Sequence, residues 1–287
     1  MFGKKKRTGE LPMPPMELRE MVGPTEDPAY DNPTGKLIWG DLDYGPLDPG
    51  EAYRRVFDFG CGCGREARQL LLQKQPPQSY VGVDISRKMI KWCKKNLGGK
   101  DVTFHHHDVW HAIYAPENRR NRMLPIQQHG RDFTLVNAHS VFTHLVEDET
   151  RFYLNEIREM LAERALLRTT WFFFNRDWFP PLAPQHHCLY IDCEIPTRAV
   201  YFDWQFFVEL MKEMGFRILD TQWTETSGFQ SLVMLGWGPG FEDNPDAMKP
   251  TDTVLGFGYS KARDVYSGPY GKWRKAQEER EAGTAAT

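Results

Sequence analysis

The stretch Asp58-Phe59-Gly60-Cys61-Gly62-Cys63-Gly64-Arg65 sets an acid near the end of an apolar run and then a glycine at every second position. Glycine turns at positive φ without penalty and lets a ligand approach the backbone with no Cβ in the way. Glu66 to Leu72 follows with Ala67, Leu70 and Leu71 on one face, which reads as a helix whose first N–H groups point back at the loop. Strand, glycine loop and helix make a nucleotide-type cradle. A second acid, Asp84, closes the short apolar run from Tyr80. In dinucleotide folds an acid about 20 residues past the loop accepts the ribose hydroxyls. A third, Asp108, stands before Val109 just after Phe104-His105-His106-His107.

These residues need parallel strands to bring their ends together. The first strand is expected at 54–59 and its helix at 64–74. The second strand is expected at 79–84, with a helix over 86–96 that starts on Ser86 as N-cap and stops at Gly98-Gly99. The third strand is placed at 102–106 and the fourth at 132–138. A helix over 147–162 carries Tyr153, Ile157, Met160 and Leu161 on one face, and a strand at 166–174 follows. Residues 175–201 have no period and hold Pro180-Pro181, Pro184 and Pro196 among aromatics; such an insertion is either functional or disordered, and the aromatic content favours order. A helix starting near Asp203 and ending at Gly215, then strands at 216–223 and 229–236, complete the pattern.

The spacing Asp58-x-Gly60-x-Gly62-x-Gly64, then Asp84, then Asp108-Val109, resembles the class I S-adenosylmethionine-dependent methyltransferases. The string Ser140-Val141-Phe142-Thr143-His144-Leu145 is similar to a subgroup met in polysaccharide and natural-product gene clusters. The resemblance covers roughly residues 50–236. It implies an α/β, doubly wound, seven-stranded, mostly parallel sheet (a Rossmann-like methyltransferase fold) with an antiparallel last strand. Relatives often carry Pro-Gly-Gly before the fifth strand, where this chain has Ala162-Glu163-Arg164-Ala165. The resemblance also implies S-adenosylmethionine as cofactor. Asp58 would order the loop and reach the methionine end, and Gly60, Gly62 and Gly64 would line the backbone path. Asp84 would take the ribose, and Ile85 and Met89 would pack on the adenine. Asp108 and the Val109 N–H would read its edge, and Ala138 and His139 would lie beneath the methionine.

Methyl transfer from a sulfonium is an in-line displacement, so the chain must mainly align an acceptor and remove its proton. His139 and His144 are the leading bases, because imidazole titrates near neutrality. Asp177, His186 and His187 are further candidates within the insertion. Trp171 to Phe174, Trp178, Phe179 and Tyr190 could wall a pocket for a sugar or planar metabolite. His105 to His107 lie on a strand, alternate faces and read as structural. The expected activity is methylation of a small-molecule acceptor, at an oxygen of a sugar, glycan precursor or natural product. A nicotinamide-dependent oxidoreductase shares the strand, loop and acid, but its Gly-x-Gly-x-x-Gly spacing differs. An inactive cofactor-binding subunit is the non-enzymatic alternative. A base-methylating enzyme would carry Asn/Asp-Pro-Pro-aromatic where this chain has Asn137-Ala138-His139-Ser140.

A net charge of −3 over 287 residues argues against a general nucleic-acid binder, and Lys4-Lys5-Lys6-Arg7 reads as a solvated end. No stretch has the roughly 18 apolar residues of a membrane span, and the start lacks an apolar signal region. Five cysteines without framework spacing fit a reduced, cytoplasmic protein, and no metal site is expected. Residues 1–35 read as a flexible N-terminal arm with a short helix near Met16–Met21. Tyr30, Trp39 and Asp43 are the residues to watch if it acts as a lid. Residues 36–240 form the cofactor-binding domain, with 175–201 as its substrate-covering insertion. Residues 241–287 read as an extended segment and polar tail. Oligomeric state is left open.

Overall fold

The structure, a computed structural model, describes residues 11–40, 42–178, 182–192, 194–223 and 230–250. The basic cluster at 4–7, Phe179, Cys193 and the tail from 251 lie outside the described residues, as does the Trp178 side chain.

Short helices α1 (Met16–Arg19) and α2 (Pro49–Ala52) precede the sheet. Then β1 (Arg55–Phe59), α3 (Arg65–Leu71), β2 (Ser79–Asp84), α4 (Arg87–Asn96) and β3 (Val102–His106) alternate as the sequence expects. The chain continues through β4 (Phe133–Ala138), α5 (Glu147–Arg158), β5 (Leu161–Phe174), β6 (Cys188–Tyr190) and β7 (Val200–Asp203). It closes with α6 (Trp204–Met214), β8 (Arg217–Gln222) and β9 (Ser231–Trp237).

Strands run in the order β3-β2-β1-β4-β5, parallel throughout, and β9 then pairs antiparallel with both β5 and β8. This is the expected doubly wound α/β sheet, with nine strands among the described residues where seven were expected, because β6 and β7 add to it. Its two faces are covered separately. Ala67, Leu70, Ile90 and Cys93 of α3 and α4 pack with Val56, Leu135 and Leu166. Tyr153, Ile157, Phe207 and Met211 of α5 and α6 pack with Phe57, Val136 and Leu167. Adjacent β5 residues therefore belong to opposite cores, as strand geometry requires.

Three sequence expectations are corrected. First, β5 begins at Leu161 rather than 166, because α5 stops at Arg158 and its chain reverses through Glu159-Met160. Ala162 to Ala165 are strand where relatives often turn, and the β4–β5 register shifts between Phe133 and Leu135. Second, the insertion is partly regular. Phe172–Phe174 runs past β4 and pairs parallel with β7, which pairs antiparallel with β6. Strands of three or four residues are too short to show a period. Third, residues 11–35 are packed rather than loose, and α1 lies where the short helix was expected. Tyr30 and Leu18 are buried against Cys63 and Met89. Arg68 of α3 holds the segment, donating to the Leu11 and Tyr30 carbonyls and pairing with Asp31 at 2.8 Å. Among the described residues no helix is long and apolar enough to cross a membrane.

Replacing Arg68 with Met should free residues 11–35 while leaving the sheet folded. Hydrogen bonds contribute about 0.5–1.5 kcal/mol each. Amide exchange in 11–35 should therefore accelerate at least tenfold, with β1 and β4 unchanged; equal acceleration everywhere would contradict a local role.

Candidate active site

The glycine loop is fixed by its neighbours before any ligand arrives. Gly60 and Cys61 N–H both donate to the Val83 carbonyl at 2.9 and 3.0 Å. Gly60, Gly62 and Gly64 take φ values of 80°, 53° and 80°, the left-handed region that favours glycine. The Gly62 N–H donates to Asp84 Oδ2 at 2.8 Å and the Ser86 N–H to Oδ1 at 2.7 Å. Burial raises the Asp84 carboxyl, while those N–H groups and His106 oppose the shift.

Above this loop lies a cavity of about 740 Å³, a size suited to a cofactor and a small acceptor. Gly60, Gly62, Asp84, Ile85, Met89 and Val109 wall one part, and His139 and His144 also face it. The N-terminal segment contributes Met21 to Pro24, and the insertion contributes Thr197 to Ala199.

His144 sits on a single 3-10 turn, Phe142–His144, anchored where the Phe142 ring stacks on Trp171 at 4.5 Å. Its Nδ1 lies 3.1 Å from the Thr197 carbonyl, so Nδ1 carries the proton and the neutral ring keeps its lone pair on Nε2. Tyr114 meets the ring edge-on at 5.0 Å. Burial lowers the His144 pKa, and the Thr197 and Arg198 carbonyls partly offset it. His139 differs. Arg168 Nη1 lies 3.3 Å from its Nδ1, which must accept. Burial first, then Arg168 and Arg65, hold its pKa down to about 4 against the pull of Glu66.

Beneath the cavity runs a polar row across four strands. Asp58 accepts from Tyr80 Oη at 2.5 Å and from Asn137 Nδ2 at 2.7 Å. Arg168 donates to Asn137 Oδ1 at 2.8 Å and lies 3.9 Å from Glu66 Oε1. Burial pushes Asp58 up to about 7, with the Glu66 charge adding to it. Burial would also raise Glu66, but Arg65 and Arg168 overcome it and keep that carboxyl ionised. The nearby His139 ring is neutral at pH 7, so it adds no charge to that balance.

Several placements correct the sequence reading. Asp58 does not wall the cavity; it is 1% exposed and both its oxygens are engaged. Gly64 lies outside the walls, where a Cβ would stand 2.6 Å from Leu97 Cδ1; its role is the close approach of α3 to α4. Ala138 is fully buried in the core. Asp108 turns away from the cavity to Arg119 and Arg87 at 3.2 and 3.9 Å. The Val109 N–H is taken by the His107 carbonyl at 2.8 Å, so only its side chain is available. His187 stacks on Phe206 and meets Glu147, while His186 and Asp177 are exposed; none of the three faces the cavity. Of the expected aromatic wall, Phe172 lines the cavity, whereas Trp171, Phe173 and Phe174 are core. Tyr190 packs against the core, not the cavity. Arg65, Glu66, Tyr114 and Gln230 were not anticipated. A charge pair directly after a glycine loop was the available signal for the first two.

Gly60 gives the sharpest local test. A Cβ there would stand 2.4 Å from Val141 Cγ2. Gly60→Ala should lower stability by about 2–4 kcal/mol, part overlap and about 1–2 kcal/mol left-handed backbone cost. Adding Val141→Ala should recover the overlap part in urea unfolding; no recovery would show that the contact is not limiting.

Residues 57–167 match the family model described as a methyltransferase domain. Among solved structures the chain is similar to magnesium protoporphyrin IX methyltransferase from Synechocystis PCC 6803 with bound SAM. Identity is 20% over 66% of this chain and 72% of that one, with a TM-score of 0.42. It is also similar to a TehB-like SAM-dependent methyltransferase from Corynebacterium glutamicum, at 17% identity over 67% of this chain and 90% of that one, TM-score 0.41. The matched stretch runs from β1 into β5 and contains the glycine loop, Asp84, His139 and His144. Over that stretch the chain is similar to a methyltransferase domain.

Proposed function

We propose that the chain transfers the methyl group of S-adenosylmethionine to an oxygen of a small-molecule acceptor, of the sugar, glycan-precursor or natural-product class. The observation that carries this reading is His144, a neutral imidazole in the cavity wall whose proton is fixed on Nδ1 by the Thr197 carbonyl. An alcohol or phenol needs a base in the transition state, and that arrangement presents one.

The residues present fit the cofactor. Gly60 and Gly62 offer backbone with no Cβ, and the Asp84 carboxylate keeps acceptor capacity beyond its two N–H partners. Ile85, Met89 and the Val109 side chain give an apolar surface for a purine. Bound S-adenosylmethionine supplies a methyl already activated on a sulfonium. The chain's own work is then to hold the acceptor hydroxyl in line and remove its proton. His144 Nε2 takes that proton, and the Nδ1–H bond to Thr197 strengthens as the ring becomes cationic. Trp110, Tyr114 and Phe172 offer aromatic faces to a sugar ring or planar acceptor. His139 is the second candidate base; its Nδ1 faces the Arg168 guanidinium, which opposes proton uptake.

Asp84→Ala should weaken S-adenosylhomocysteine binding at least tenfold, since a charged hydrogen bond contributes about 1.5–3 kcal/mol; unchanged affinity in a folded variant would remove the ribose role. With an acceptor found by screening sugars and phenols, His144→Ala should cut turnover about 10²–10⁴-fold and leave cofactor affinity within about threefold. His139→Ala should cost far less, and equal losses would contradict the assignment. Because burial lowers His144 below the usual imidazole value of about 6.5, kcat/KM should stay level as pH falls to that value. It should decline only below it, when the base protonates; a decline centred above pH 7 would exclude His144.

A further inference from the structure

We propose that Glu66 and Arg65, not Asp58, hold the amino-acid end of the cofactor. The assignment rests on the S-adenosylmethionine reading and concerns which residues recognise its zwitterion. Asp58 is walled off from that end: it is 1% exposed and does not line the cavity, and Tyr80 and Asn137 stand against its two oxygens. Arg65 and Glu66 do line it, on the first turn of α3 directly after the glycine loop. The contacts of Glu66 converge on one atom. Oε1 lies 3.2 Å from Arg65 Nη2, 3.7 Å from His139 Nδ1 and 3.9 Å from Arg168 Nη1. Among the described residues Oε2 has no hydrogen-bond donor, yet it is not among the buried orphan atoms. Arg65 spends one nitrogen on Glu66 and is 17% exposed, so its other donors are available.

A carboxylate oxygen and a guanidinium side by side on a cavity wall match an ammonium and a carboxylate on one carbon. The guanidinium can meet a carboxylate with two parallel N–H groups. Arg168, 5% exposed beneath the pair, adds positive charge that keeps Glu66 ionised and favours the ligand's carboxylate. Asp58 then acts through the sheet: it fixes Asn137, which fixes Arg168, which backs Glu66.

Calorimetric titration with S-adenosylhomocysteine and with 5′-methylthioadenosine separates the claims. The second ligand keeps the nucleoside and thioether and lacks the amino-acid end. Wild type should bind both, and failure to bind either overturns the cofactor reading and this assignment with it. Glu66→Gln and Arg65→Gln should each weaken S-adenosylhomocysteine about tenfold or more and leave methylthioadenosine within about twofold. Asp58→Asn should move the two ligands together. Should Glu66→Gln lose methylthioadenosine binding through misfolding, Arg65→Gln reads the same ratio on a less buried side chain. An unchanged ratio in the folded variants, or a ratio moved mainly by Asp58→Asn, overturns the assignment while leaving the cofactor reading in place.

Discussion

Asp58 is a carboxylate set into the middle of a sheet, and much else follows from satisfying it. An unpaired buried carboxylate would cost several kcal/mol, so its partners must arrive from both sides. Tyr80 comes from β2 and Asn137 from β4, and Arg168 of β5 closes the row. The register reflects this, with Asp58 opposite Asn137 and Asn137 opposite Arg168. A one-residue slip in any of these strands would turn a partner to the other face. The row thus ties four parallel strands into one alignment, and that alignment places their ends around the cavity.

The row also reaches upward. Arg168 lies beneath Glu66 of α3 and beside His139, and the Trp39 ring covers its guanidinium at 4.4 Å. One buried cation therefore touches the sheet, the loop helix, the turn after β4 and the stretch between the N-terminal segment and α2. That turn is held separately: Ser140, at φ 57°, donates its N–H to Thr170 Oγ1, and its Oγ accepts from Gln230. The insertion enters from the far side, where the Thr197 carbonyl accepts from both His144 and His111. Elements distant in sequence thereby fix one imidazole's tautomer.

The order of strands and helices was readable because it rests on local signals: apolar runs ending in acids, glycines after β1, Ser86 at the start of α4, Asp203 and Gly215 bracketing α6. Asp84, Ile85, Met89, His139 and His144 were readable from their places at or shortly after strand ends, and the structure puts them at the cavity. What the sequence hid is relational. Asp58 stands in the motif position, yet only the sheet shows that Tyr80 and Asn137 have already claimed it. Asp108 follows its strand as expected, yet Arg119 and Arg87 draw it outward. The N-terminal segment looked loose in composition because its order comes from Arg68, a partner 57 residues from Leu11. Strands β6 and β7 carry no pattern of their own and exist because β5 runs on past β4 and offers an edge.

The central claim is that this sheet end is a cavity built for an S-adenosyl nucleoside. Calorimetry of the intact chain with S-adenosylhomocysteine, run beside NADH at the same concentration, tests it most directly. The account predicts one molecule of S-adenosylhomocysteine bound per chain and no heat from NADH. Binding of NADH with no response to S-adenosylhomocysteine would contradict it.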